Sequence, residues 1–167
     1  MSIIWMLFVI IGIAAAFMDL AEYRIPNTGV VALVLLFVGV AVLHKGAIPW
    51  FSHLAAGMLC LTVGILFYTF RQMGAGDAKL LSALSLWAGL GGLIPLVFWI
   101  AVCGLGLMIA LVVMRWLLPV VRADGTGSAA MHLPRVLTRG EGIPFGAGIV
   151  AGAIVASWWF PAWVWQP

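Results

Sequence analysis

What this sequence lacks first of all is charge. Charged side chains make up 8% of its 167 residues, where a water-soluble domain carries about a quarter. With 65% of the residues hydrophobic, the chain has too little polar surface to face water, and a soluble monomer is excluded. The formal net charge is only +3. No basic stripe interleaved with aromatics is present, which excludes a grip on nucleic-acid phosphates. Cysteine is nearly absent as well. Cys60 and Cys103 stand singly in apolar runs, without the paired spacing of a zinc site or a disulfide framework, and read as small packing residues. No Lys or Arg precedes Arg24, so the apolar stretch 3–17 lacks the positive start of a cleaved signal peptide and reads as a retained span.

What is present is a series of long apolar runs. A bilayer supplies the missing apolar solvent, and a helix crosses it with roughly 20 residues. The runs and their interruptions predict an all-α, polytopic membrane protein of six transmembrane helices, folded as one domain over 1–167. The helices are expected at about 2–18, 28–43, 53–70, 78–90, 93–118 and 143–163. Gly89, Gly91, Gly92 and Pro95 divide the fourth from the fifth. Asn27, after Pro26, suits the cap of the second helix, and Pro144 suits the first turn of the sixth. Trp158, Trp159, Trp163 and Trp165 resemble an interfacial belt, and Gly148 and Gly152 form a small-xxx-small pair for close helix packing. His44, His53 and His132 have no metal-ligand spacing and read as solvated loop residues. The stretch 119–142 is the one sizeable loop.

Six spans sort the loops by side. One side carries Arg24, Arg71, Lys79, Arg115, Arg122, Arg135 and Arg139; the other carries only Lys45. The positive-inside rule makes the first side cytoplasmic, with both termini outside and 119–142 a cytoplasmic loop.

The acidic residues are Asp19, Glu22, Asp77, Asp124 and Glu141. A carboxylate at membrane depth is costly enough to need a pairing or functional reason. Asp19 ends the first expected helix and Asp77 begins the fourth, so both fall at the cytoplasmic face. The fourth is short, about 20 Å at 1.5 Å per residue, which recesses Asp77 from the surface of a core about 30 Å thick. Gly74 and Gly76 give the chain before it freedom to bend and room for another backbone. Two carboxylates held together share a proton. The ionised one can take a proton from water while the other polarises a peptide carbonyl. Plainer readings stand beside this one. Asp19 serves equally as a helix-end residue and Asp77 as a helix-start residue favoured by the dipole. Lys79 is either the partner of Asp77 or a snorkelling cation, and the latter is the expectation.

Three motifs resemble those of one family. Gly74-Ala75-Gly76-Asp77-Ala78-Lys79-Leu80-Leu81 resembles the GxGDxKLL signature of type IV prepilin peptidases, within the wider GxGD group of intramembrane aspartic proteases. Asp19 followed by Arg24-Ile25-Pro26-Asn27 resembles the family's first motif. Ile143-Pro144-Phe145-Gly146 resembles the proline-containing start of its last helix, with Phe145 where short forms often have tyrosine. The resemblance implies an aspartic endopeptidase of the cytoplasmic (inner) membrane, using Asp19 and Asp77 without metal or cofactor. Its substrate would be a prepilin-like protein, from which it removes a short basic leader, usually after glycine. Larger bifunctional members carry an extra cysteine-bearing segment and also N-methylate their product. This chain is more similar to the short form serving tight-adherence pili, or to a related archaeal-type enzyme, so neither methyl transfer nor S-adenosylmethionine use is expected. Two readings from other classes compete: a small proton-coupled transporter component using the same acids, and a non-catalytic scaffold of a secretion apparatus.

Overall fold

An apolar chain in lipid must satisfy its backbone internally, and helices do so within one segment. In the computed structural model of the protein, which describes residues 3–44, 48–117 and 144–164, every regular element is helical. Five α-helices follow in order: α1 (Ile3–Glu22), α2 (Asn27–Leu43), α3 (Trp50–Thr69), α4 (Ala75–Leu117) and α5 (Phe145–Ala156). Two short 3-10 turns, Ser157–Trp159 and Ala162–Val164, come after α5. Helices α1, α3 and α4 are long and apolar enough to cross a membrane, while α2 and α5 are shorter apolar helices. Phe51, Ile94, Val42 and Trp116 stand outward from the bundle. Such a surface suits lipid and would aggregate in water. The protein is therefore read as a helical membrane protein. The expected loop 119–142 lies outside the described residues, as do Lys45, His132 and Trp165.

The break expected between the fourth and fifth runs lies within α4, at Gly89, with φ 62° and ψ 178°. Gly91, Gly92 and Pro95 stay in the helix. An unbroken helix would bond the Leu90 N–H to the Leu86 carbonyl. Here Leu90 N–H donates instead to Ser52 Oγ at 3.0 Å. The Leu86 carbonyl accepts from His53 Nδ1 at 2.6 Å, which makes that nitrogen the protonated one. Both partners lie in the first turn of α3. The reading of His53 as a solvated loop residue is thus corrected: α3 begins a turn earlier than expected, and His53 is completely buried. It is buried because the break beside it leaves a carbonyl that needs a donor.

The core gathers around Trp87 of α4. Its ring meets Phe8 of α1 at 5.1 Å and Phe37 of α2 at 5.7 Å between centroids. Its indole N–H donates to the Leu33 carbonyl at 3.2 Å, so the largest buried side chain also has its polar atom satisfied. Small residues bring the remaining helices together. A Cβ at Gly148 would stand 2.8 Å from the Gly104 Cα, and one at Gly152 would run into the backbone of Ile100. The second part of α4 and α5 therefore touch backbone to backbone, as the small-xxx-small pair predicts. Gly64 of α3 meets Ala78 of α4 in the same manner. Trp158 and Trp159 face outward at the end of α5, with Trp159 stacked beside Trp99 at 5.9 Å. Both cysteines are free thiols, Cys60 buried and Cys103 half-buried.

Candidate active site

Helix α1 runs four residues past its expected end, to Glu22. Asp19 therefore sits inside its last turn and is 6% exposed, the one buried carboxylate among the described residues. Tyr23 ends the helix. Its N–H donates to the Asp19 carbonyl at 2.9 Å, and its φ is 54°. That left-handed position at a helix end ordinarily belongs to glycine.

The chain then turns through Arg24, Ile25 and Pro26 into α2. Pro26, not Asn27, occupies the cap position, and no side chain caps this helix. The expected capping role of Asn27 is corrected, because its side chain is engaged elsewhere. Asn27 Oδ1 accepts from Lys79 Nζ at 3.2 Å. Lys79 is exposed at the start of α4 and so ties the two helix starts together.

Gly74 opens α4, its carbonyl accepting from the Ala78 N–H at 3.1 Å. Asp77, third in the helix, reaches back to the Gly74 N–H. The carboxylate thus satisfies an N–H that the helix start leaves open, which is one half of a capping box. A Cβ at Gly74 would stand 3.0 Å from Asp77 Oδ2, so the glycine gives the carboxylate its room.

Helix α5 supplies the third wall. Pro144 precedes its first residue as the cap, one position earlier than expected. The N–H groups of Gly146 and Ala147, in the first turn, face the Asp19 carboxylate. The positive end of a helix favours negative charge there. Ile25 is wedged between the two helix starts. A Cβ at Gly76 would meet Ile25 Cβ at 3.1 Å, and one at Gly146 would meet Ile25 Cδ1 at 2.7 Å and Asp19 Oδ2 at 2.8 Å. The three sequence motifs therefore converge on one another through these contacts.

Asp19 and Asp77 line one cavity of about 350 Å³, together with Tyr23, Arg24, Ile25, Asn27, Gly74, Gly76 and Lys79. The two carboxylates lie within electrostatic reach of each other. A second, larger cavity of about 720 Å³, lined by Tyr68, Thr69, Arg71, Gln72 and Met73, shares Gly74 with the first. Among the described residues no three His, Cys, Asp or Glu side chains gather in a metal-ligand cluster. The arrangement offers two carboxylates, two nearby cations and a polar wall, which suits proton transfer to and from a bound peptide group.

Of the expected site residues, Asp19, Asn27, Gly74, Gly76, Asp77 and Lys79 line this cavity, while Pro26 and Pro144 do not line it and instead precede α2 and α5. Tyr23 and the Gly146 and Ala147 amides were not singled out by sequence, and Ile25 appeared there only as part of its motif. Gly146 was visible in the Ile-Pro-Phe-Gly motif, but its contact with Asp19 is a tertiary fact. Tyr23 gave no signal, because the first helix was expected to end before it.

Comparison with known families gives a match over most of the chain. The model of the type IV leader peptidase family covers residues 6–111, more than half of the chain. That span contains Asp19, the Ile25-Pro26-Asn27 turn and Gly74 to Lys79; the motif around Pro144 lies beyond it. No curated protein and no solved structure gives a significant match.

Proposed function

Because the chain belongs to the type IV leader peptidase family, we propose that it is an aspartic endopeptidase that removes the short basic leader of a prepilin-like substrate. Asp19 and Asp77 are its catalytic pair. The observation that carries this reading is that two carboxylates from distant helices line one cavity, each beside the first turn of a helix. In the proposed reaction the ionised carboxylate takes a proton from water as the water attacks the scissile carbonyl. The protonated one polarises that carbonyl, then gives its proton to the leaving amine. Gly74, shared by both cavities, leaves space for an extended substrate backbone beside Asp77.

The pair works at the cytoplasmic face of the inner membrane. Arg24, Arg71, Lys79 and Arg115 all belong to the basic set on that side, and the positive-inside rule supports the placement. With α4 divided at Gly89, the helices read as six spans with both termini outside. The reaction uses no cofactor, and the product keeps an unmethylated N-terminus.

Co-expression with a pilin-like protein whose basic leader ends in glycine tests the reading. Wild type should shorten the precursor, seen by gel mobility and by the mass of the mature chain. Asp19→Asn and Asp77→Asn should each leave it full length. Normal processing by either variant would overturn the assignment.

A further inference from the structure

Tyr23 bears two costs at one position. Its left-handed φ of 54° is shared by only one other non-glycine among the described residues, Arg71, and side chains with a Cβ resist that conformation. Its hydroxyl is buried without a hydrogen-bond partner among the described residues, a state that opposes folding. Tyr23 nevertheless lines the cavity that holds Asp19 and Asp77. Backbone strain and unsatisfied polar groups collect where a site makes use of them.

We propose that Tyr23 is a further catalytic residue, its hydroxyl donating a hydrogen bond to the scissile carbonyl oxygen as that oxygen gains negative charge. The proposal rests on the peptidase reading above. A peptide filling the cavity lies against Tyr23 and brings the acceptor that the hydroxyl lacks. The other donors at the cavity are less suited. Lys79 is exposed and committed to Asn27, and Arg24 is exposed. A neutral donor uncovered as the peptide binds favours the charged oxygen through the chemical step. The phenol keeps its proton throughout. One aspartate takes the proton of water and the other delivers its own to the amine, so the balance of the hydrolysis is unchanged.

The test is Tyr23→Phe in the full chain, purified in detergent and assayed on a prepilin-like substrate with a basic leader. The expected result is a kcat lower by about 10- to 100-fold with KM within about twofold of wild type. The thermal midpoint should equal or exceed that of wild type, because the deleted hydroxyl had no partner. A kcat within about twofold of wild type, or a loss confined to KM, overturns the proposal. A midpoint several degrees lower also overturns it, since the hydroxyl would then have a partner in the fold. Asp19→Asn and Asp77→Asn run alongside. If they are inactive and Tyr23→Phe is not impaired, only the Tyr23 assignment fails; if they retain activity, the peptidase reading fails first.

Discussion

Ile25 and Gly146 touch so closely that a single methyl group added at the glycine would stand 2.7 Å from the Ile25 Cδ1 atom. The turn after α1 and the first turn of α5 are therefore fitted to each other at the level of one carbon. The same methyl would stand 2.8 Å from Asp19 Oδ2, so packing and chemistry meet at one position.

Gly146→Ala should consequently injure both. Overpacking at such a contact costs about 1–3 kcal/mol, and displacing a reacting group by about 1 Å can cost a hundredfold in rate. Thermal unfolding should shift downward, and precursor processing should fall by about ten- to a hundredfold. A variant with wild-type processing would show that Asp19 is not held in place from α5.

His53→Ala should act on stability and not on chemistry. It removes the donor to the Leu86 carbonyl and leaves a hole at a completely buried site. A buried carbonyl without its partner costs about 1–3 kcal/mol, before the cavity is counted. Gly89 lies twelve residues beyond Asp77, about 18 Å along the helix. The melting temperature in detergent should drop markedly, while kcat of the folded fraction stays near wild type.

Lys79 and Asn27 should prove weakly coupled. Both are exposed, and exposed charge-assisted contacts contribute about 0.2–1 kcal/mol. A double-mutant cycle of Lys79→Ala and Asn27→Ala, read by thermal or denaturant unfolding, should return a coupling in that range. A coupling above about 2 kcal/mol would mean that the contact is shielded in the membrane-bound protein.

The rate of leader removal should be bell-shaped in pH. A pair that works with one proton between its carboxylates loses activity when both are protonated and again when neither is. Single-turnover rates across the pH range would show both limbs; a one-sided profile would speak against shared use of the proton.

Much of this architecture was legible in the sequence because the governing constraint is one-dimensional. In lipid, an apolar run becomes a helix whatever its neighbours, so the helices appear where the runs lie. The joint placement of Asp19 and Asp77 was legible for a similar reason: two apolar runs, now α2 and α3, lie between them, and an even number of crossings returns a chain to the side it left. What could not be read depends on contact. Four residues competed to break α4, and Gly89 does so because Ser52 and His53 stand opposite it. Asn27 looked like a cap in isolation, yet its oxygen meets a lysine 52 positions away. The end of α1 was misplaced by four residues because Asp19 looked like a polar stop, and only the amides of α5 explain how it stays helical and buried.

The interruption at Gly89 also divides α4 into two parts with different neighbours. Asp77 rides on residues 75–88, which lean on α3 at Gly57 and Gly64. Asp19 faces the start of α5, and α5 leans on the far part of α4 through Gly104 and Ile100. The two acids are thus braced by different partners on either side of the break. The clasp on that break is a serine and a histidine at the far end of the helix from Asp77, so the bundle can be weakened there while the supports of both acids stay in place.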